Sequence, residues 1–261
     1  MRKKFFISLI LSLLTVYSFG QDTMSYKSKW QVKPSFGFNI PMTKLLKGDV
    51  TDYLFGFDDH AFYCQVLSIS YFFHKHWGVE FNFQPSISNR ISKRGDKFLQ
   101  SMESEYGNDY FVTPLTGASY DNPIIFPGNF DRGYLGLIYR LESKRFFIYP
   151  KIAIGVTSFY TDWGHAYLKE KNSNKVLTVS YSSGDRPNDY LTIAPSLTLG
   201  YKLTKRMFFN VDLLTSYYKT NITFVKTTTD LNSGQSFNEE TVYKKNMFNL
   251  SLGAGLIIVI Y

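Results

Sequence analysis

The chain has 261 residues, of which 44% are apolar, 18% aromatic and 19% charged, and its formal net charge is +8. This content of apolar and aromatic side chains excludes an intrinsically disordered or collagen-like protein. Cys64 is the single cysteine, which excludes an intramolecular disulfide and the usual zinc sites built from several cysteines.

Residues 1–20 have the pattern of a secretory signal peptide. A basic start at residues 2–4 is followed by an apolar run from Phe5 to Val16 and by a small-x-small cleavage site, Ser18-Phe19-Gly20. The alternative, a transmembrane anchor, is disfavoured because the apolar run is too short to span about 30 Å comfortably as a helix. We therefore expect export, cleavage after Gly20 and one mature domain over residues 21–261.

Apolar and polar side chains alternate at period two in eight stretches of the remaining chain. In residues 79–88, for example, Val79, Phe81 and Phe83 share one face, and the residues between them are polar or charged. Because successive strand side chains point to opposite faces, each stretch predicts a β-strand. The predicted strands cover residues 30–40, 61–73, 79–88, 132–141, 146–159, 190–203, 207–219 and 246–261.

The connections between these strands alternate between short and long. Short connections are predicted at residues 74–78, 142–145 and 204–206, and long ones at residues 41–60, 89–131, 160–189 and 220–245. This rhythm predicts an all-β fold, an eight-stranded antiparallel up-and-down transmembrane β-barrel of the outer membrane, with short periplasmic turns and long extracellular loops. Four prolines inside the strands predict bulges or locally open pairing: Pro34, Pro85, Pro150 and Pro195.

The polar face of the strands carries charged residues, which we expect to point into the lumen and to form a charge network there. A soluble barrel with an apolar interior is the alternative fold, but it would not accommodate these charges. A salt-bridged plug is favoured over a path for ions or solutes, because eight strands leave little more than room for side chains. The predicted lumen charges are Glu80, Arg132, Arg140, Lys151, Lys202 and Asp212, and Cys64 is placed on the same face.

A rim of basic residues is predicted at the periplasmic turns. The anionic head groups of membrane lipids and a periplasmic envelope protein are both suitable partners, and the compartment argues against nucleic acid. The rim comprises Lys75, Lys144, Arg145, Lys205 and Arg206, with Lys27 and Lys29 nearby. At the opposite end, Ile124, Ile125 and Phe126 in the longest loop form an apolar run that either packs on other loops or contacts a surface partner.

The sequence contains little that indicates catalysis or a bound cofactor. His74 and His76 lie two residues apart in a short turn without an adjacent carboxylate, so we expect no metal site. An acyl-transfer pair of His60 with a serine such as Ser68 stays conceivable, but no Gly-x-Ser-x-Gly motif accompanies it. We therefore expect no cofactor and no enzyme activity.

The signal peptide ending in Gly20-Gln21, the rhythm of eight strands and the aromatic C-terminal residue Tyr261 resemble outer-membrane β-barrel proteins of the Bacteroidota, in particular the PorT-type barrels. The resemblance extends over about residues 28–261. It implies an accessory subunit of an outer-membrane protein secretion or assembly complex. The alternatives are a barrel that binds or conducts an apolar small molecule and a barrel enzyme that modifies lipid A.

Overall fold

The computed structural model describes residues 29–44, 61–65, 67–88, 91–114, 128–159, 164–183 and 188–260. These ranges contain fourteen strands and one helix. The strands are β1 (Trp30–Val32), β2 (Ser35–Pro41), β3 (Ala61–Gln65), β4 (Leu67–Phe72), β5 (Trp77–Ser88), β6 (Tyr110–Pro114), β7 (Gly128–Tyr139), β8 (Leu141–Glu142), β9 (Phe146–Phe159), β10 (Gly164–Glu170), β11 (Val176–Ser183), β12 (Asn188–Lys202), β13 (Met207–Asp230) and β14 (Ser236–Ile260), and the helix is α1 (Ile91–Tyr106).

Eight antiparallel crossings form a closed ring. β1 and β2 make the first crossing, β3 and β4 the second, and β5, β7, β9, β12, β13 and β14 the other six. β14 closes the ring, because it pairs with β13 on one side and with β1 and β2 on the other. A closed ring leaves no sheet edge in the hydrocarbon region. The predicted eight-stranded antiparallel barrel is confirmed.

The two faces of β13 show how the barrel is oriented in lipid. Its inward side chains are buried and mostly polar near the middle, whereas the outward ones from Met207 to Tyr217 are apolar and exposed except for the half-buried Thr215. At about 3.3 Å per residue and a tilt of about 40°, this outward stretch rises roughly 25 Å, the height of a lipid-facing belt. Lys219 is the next outward residue, so the belt ends at Tyr217.

The second crossing contains a change of face that the sequence pattern obscured. Tyr63 and Gln65 in β3 are buried in the lumen, whereas Cys64 lies on the outer side. In β4 the inward residues are Ser68, Ser70 and Phe72. The crossing gains one residue between β3 and β4, which reverses the face of each side chain, as a β-bulge does. The placement of Cys64 in the lumen was therefore wrong.

The four strand prolines coincide with interruptions of the pairing. Pro34 separates β1 from β2, and the register of β5 with β7 shifts after Pro85. The ladder between β12 and β13 is open around Pro195. Pro150 lies beside the gap between the pairings of β9 with β7 and with β8. Proline lacks a backbone N–H, which accounts for each interruption.

The long connections are more ordered than the sequence predicted. β13 and β14 continue as a hairpin up to Asp230, β10 and β11 form a second hairpin, and α1 precedes β6. Beyond the membrane belt, the order of strands becomes β13, β11, β10 and β6. Water replaces lipid there, so the outward residues become polar and the alternation used to detect strands fades.

Helix α1 packs over an apolar cluster at the extracellular end of the barrel. Phe98 and Met102 of the helix are buried to 1% and 0% exposure. They contact a cluster from β9 to β14 that includes Phe159, Leu168, Val179, Tyr181, Tyr190, Tyr218, Ile222 and Phe224. Among the described residues, no helix has the length and apolar character needed to cross a membrane.

Candidate functional site

Charged side chains from four crossings meet at the middle of the lumen. Lys33 Nζ lies 3.0 Å from Asp212 Oδ1 and 3.7 Å from Glu80 Oε1, and Lys151 forms an ion pair with Glu80. The four side chains are at most 10% exposed. They comprise two cations and two anions, so their formal charges cancel. We call Lys33, Glu80, Lys151 and Asp212 the central network.

Neutral polar groups complete the hydrogen bonding of the two carboxylates in this network. Ser70 Oγ donates to Glu80 Oε2 at 3.0 Å. Thr198 Oγ1 donates to Asp212 Oδ1, and Asn210 Nδ2 donates to Asp212 Oδ2 at 2.7 Å. A buried ion pair is tolerated when further hydrogen bonds satisfy its members. Both carboxylates of the central network thus have neutral hydrogen-bond donors in addition to their ion-pair partners.

A second charged group lies toward the periplasmic end. Lys202 Nζ is 2.7 Å from Glu142 Oε2, and Arg140 Nε is 3.9 Å from Glu142 Oε1. The guanidinium of Arg140 also stacks over the Phe72 ring, with its central carbon 4.2 Å from the ring centroid. An apolar layer fills the lumen beside these charges and comprises Phe72, Ile138, Phe147, Tyr149, Phe208, Ile257 and Val259.

Arg132 lies on the extracellular side of the central network. Its Nη1 donates to Asn39 Oδ1 at 2.8 Å and to Ser251 Oγ at 3.1 Å, and the residue is 1% exposed. Above it begins the apolar cluster that α1 covers. From the periplasm outward, the lumen thus contains an apolar layer, the central network, Arg132 and a second apolar layer.

The contact between α1 and β13 is reinforced by one ion pair outside the membrane belt. Lys226 Nζ lies 2.7 Å from Glu105 Oε1 and sits 5.3 Å above the Tyr106 ring. Partial burial acts to lower the pKa of Lys226, but its hydrogen bonds to Glu105 and Tyr106 outweigh that effect and raise the pKa above its ordinary value. Lys226 therefore stays charged at neutral pH.

The basic residues expected at the periplasmic rim lie in three exposed turns. Backbone hydrogen bonds connect these turns to neighbouring crossings: Arg140 N donates to His76 O at 2.7 Å, Lys202 N to Arg145 O at 2.8 Å and Val259 N to Arg206 O at 2.9 Å. Such bonds hold the turns in fixed positions. Lys75, Lys144, Arg145, Lys205 and Arg206 all lie in these three turns.

Six residues were expected to form one lumen network, but the structure divides them. Glu80, Lys151 and Asp212 meet in the central network, Arg140 and Lys202 share Glu142, and Arg132 lies apart from both groups. Lys33 and Glu142 were missed. The alternation in residues 30–40 places Lys33 on the face of Ser35 and Asn39, so a signal for it existed.

Other predicted positions lie outside the described residues or carry no site. Ile124, Ile125, Phe126, Lys27 and His60 fall outside the described ranges. The rings of His74 and His76 lie 6.4 Å apart, centroid to centroid. Within the described part of the chain, no three His, Cys, Asp or Glu residues are grouped to hold a metal ion.

Comparison with known proteins gave matches among solved structures alone. No family model matches, and no curated protein matches. A major outer membrane protein from Thermus thermophilus is 13% identical, with a TM-score of 0.40, over 90% of this chain and all 100% of that chain. AlkL, an outer membrane protein solved in DMPC bilayers, is 15% identical, with a TM-score of 0.34, over 93% of this chain and 95% of that one.

A third matched structure corrects one of our expectations. The outer membrane protease OmpT from Escherichia coli is 10% identical, with a TM-score of 0.31, over 92% of this chain and 99% of that chain. The expectation that the chain is not an enzyme is therefore withdrawn, because the structures similar to this chain include a protease. The PorT-type resemblance stays a prediction from the sequence. What the structure establishes for this chain is the fold, a closed antiparallel β-barrel of eight crossings.

Proposed function

We propose that the chain is a sealed barrel that acts through its exposed ends, as an accessory subunit of an outer-membrane protein secretion or assembly complex. The observation that carries this proposal is the filled lumen. The central network occupies the middle of the barrel, and apolar layers lie on both sides of it. A barrel without an internal passage can act on other molecules only through its outer surfaces, and its solvent-facing ends are the parts that a soluble or peripheral partner can reach.

The periplasmic rim supports a role in an assembly. Five basic residues lie in turns that are fixed by backbone hydrogen bonds, and Glu142, the acidic residue closest to them in the chain, is engaged inside the barrel by Lys202. A rigid surface of one sign attracts a partner of the opposite sign and speeds its association. We propose an envelope protein with an acidic surface as that partner.

The same features disfavour transport of an apolar molecule. Such a molecule would have to displace the charges of the central network, and a lateral exit would require an opening in a ring that is closed by hydrogen bonds at each neighbouring pair. Apolar ligands do not compensate buried charges. Transport would therefore require a rearranged lumen.

Affinity purification from native membranes tests the proposal. The tagged chain is cross-linked in cells, extracted in detergent and compared with a variant carrying Lys144→Glu and Arg145→Glu at the rim. A matched control carries Lys169→Glu and Lys175→Glu on the extracellular side, where both residues are exposed. We expect a specific envelope protein with the wild type and the control, and its loss with the rim variant.

Three outcomes would contradict the proposal. Recovery of this chain alone, without an envelope protein, would argue against a complex. Equal recovery of the partner with the rim variant and the control would show that the rim does not bind it. Recovery of anionic lipid in place of a protein would identify the rim as a lipid-contacting surface.

A further inference from the structure

Two lysines lie on the outward face of the barrel, just beyond the extracellular end of the membrane belt. In β13, Lys219 follows Tyr217 by two residues, so both side chains lie on the same face. In β14, Asn246 lies opposite Lys219, and Lys244 lies opposite Asn221. All four of these polar residues are exposed. We call Lys219, Asn221, Lys244 and Asn246 the outer patch.

The register places the two lysines diagonally across the ladder between β13 and β14. The pair of Lys219 with Asn246 is followed, two residues farther out, by the pair of Asn221 with Lys244. Diagonal neighbours of this kind are about 7–8 Å apart, so two lysine side chains can reach one anion. Among the described residues, neither lysine forms an ion pair. Two cations at this separation repel each other unless an anion lies between them.

Two acidic residues on the same face do not neutralise the outer patch. Glu240 lies four residues from Lys244 along β14, which is about 13 Å in an extended strand. Asp189 of β12 is exposed and forms no ion pair with Lys219. The outer patch therefore presents two positive charges and two amide groups.

The outer patch lies where the headgroups of membrane lipids begin. Tyr217 and Phe248 are opposite one another at the end of the belt, and both are exposed on the outward face. Aromatic residues at such positions mark the boundary between the hydrocarbon and the headgroups. Lysines directly beyond this boundary are attracted to the phosphate groups of lipids.

Polar groups continue on the same face farther out than a phospholipid headgroup reaches. Ile222 and Phe224 of β13 are buried. Thr223 and Thr227 therefore lie on the outward side. At about 3.3 Å per residue and a tilt of about 40°, Thr223 is about 10 Å farther out than Lys219. A phospholipid headgroup layer is about 5–8 Å thick, so amides and hydroxyls at both levels fit a larger headgroup with many hydrogen-bonding groups, such as a sugar.

We propose that the outer patch binds a phosphorylated glycolipid of the outer leaflet. Lys219 and Lys244 bind a phosphate group, and Asn221 and Asn246 form hydrogen bonds with sugar hydroxyls. The acyl chains lie along the exposed apolar residues of the belt. The proposal rests on the outer-membrane placement that is part of the proposed function, and it does not involve the periplasmic rim.

Lipid titration followed by native mass spectrometry tests the proposal with the purified, folded barrel in a neutral detergent. The probe is lipid A with two phosphate groups. One control lipid is lipid A without phosphate, and the other is phosphatidylglycerol, which is anionic but has no sugar. The wild type should bind one molecule of the probe about tenfold more tightly than either control lipid.

Variants of the outer patch separate a defined site from general attraction to anionic lipid. The double variant Lys219→Glu, Lys244→Glu should weaken binding of the probe about tenfold, because cations that attract phosphate become anions that repel it. The matched control Lys169→Glu, Lys175→Glu makes the same charge change on exposed residues of the extracellular side and should bind as the wild type does. The gel shift between unheated and heated protein verifies the folding of each variant.

The sugar contact is tested by the double variant Asn221→Ala, Asn246→Ala, which should weaken binding of the probe and leave that of phosphatidylglycerol unchanged. Equal affinity of the wild type for the probe and for phosphate-free lipid A would overturn the proposal. So would equal binding of the probe by the wild type and the Lys219→Glu, Lys244→Glu variant. Binding of phosphatidylglycerol as tight as that of the probe would overturn the assignment to a glycolipid. These results are separate from recovery of an envelope protein, which tests the proposed function.

Discussion

Charge neutrality is the main property of the central network at the scale of single residues. Lys33 and Lys151 approach the same oxygen of Glu80, and Lys33 also contacts Asp212. Each ion therefore depends on the others, because the desolvation cost of an unpaired buried charge is larger than the stabilisation that side-chain packing alone provides. Removal of one member should be far more harmful than removal of a complete pair.

Glu80→Ala should lower the free energy of unfolding by about 3–5 kcal/mol, because Lys151 loses its ion-pair partner in a buried site. The double variant Glu80→Met, Lys151→Met leaves Lys33 paired with Asp212 and should recover most of that loss. Urea unfolding in lipid vesicles measures both changes. Equal destabilisation by the single and double variants would contradict this explanation, because it would show that the unpaired charge of Lys151 is not the cause of the loss.

The Asp230 carboxylate stabilises the turn at the tip of the hairpin between β13 and β14. Backbone N–H groups of Asn232, at 2.8 Å, and Ser233, at 3.3 Å, donate to its carboxylate and lower its pKa. A lowered pKa means that the carboxylate stabilises the turn above the ordinary aspartate pKa, about 3.9, and that this contribution is lost as the pH falls through the lower folded value.

The amide resonances of Asn232 and Ser233 should therefore titrate together at a pH below about 3.9. NMR in micelles between pH 7 and pH 2 measures this change. In Asp230→Ala the same resonances should be insensitive to acid and should exchange faster at all pH values. A titration midpoint at or above 3.9 in the wild type would contradict the assigned hydrogen bonds.

Sequence alternation identified which residues point inward, but not which of them meet. Lys33 was on the correct face and was still omitted from the expected network, because contact between residues 33, 80, 151 and 212 depends on the stagger of four crossings. Glu142 was assigned to a turn, and its side chain reaches back to Lys202. Cys64 was misplaced because a single extra residue reverses the pattern.

At the scale of elements, the membrane-level strands were predictable and the extracellular ones were not. Most outward residues of β13 are apolar up to Tyr217, where the strand faces lipid, so the period of two is plain there. Farther out, Asn221 and Thr223 face water and the contrast between the faces disappears. Helix α1 has apolar residues at Phe98 and Met102, whose packing depends on the distant strands β9 to β14.

Helix α1 should be able to unfold locally while the barrel beneath it stays folded. Met102→Ala removes a side chain with 0% exposure and should cost about 2–5 kcal/mol of local stability. Hydrogen exchange of α1 should then increase strongly, while the gel shift between unheated and heated protein stays the same. Glu103→Ala, on the exposed side, is the matched control. Loss of the gel shift in Met102→Ala would indicate that helix and barrel fold as one unit.

For the whole molecule, closure of the ring and closure of the lumen have separate causes. The ring closes because β14 pairs on both of its sides. The lumen closes because large side chains of eight crossings fill a narrow cylinder, which is the expected outcome for this strand number. The chain therefore presents a lipid-facing belt, a basic periplasmic rim and an extracellular surface built from α1 and the extended hairpins.

Conductance across a planar lipid bilayer tests the sealed lumen most directly. The folded protein, verified by its gel shift before insertion, should produce no steady single-channel current above that of the lipid. We expect this result because the central network and the two apolar layers occupy successive levels of the lumen. Reproducible open-channel currents from the wild-type protein would contradict the sealed lumen and the proposal that depends on it.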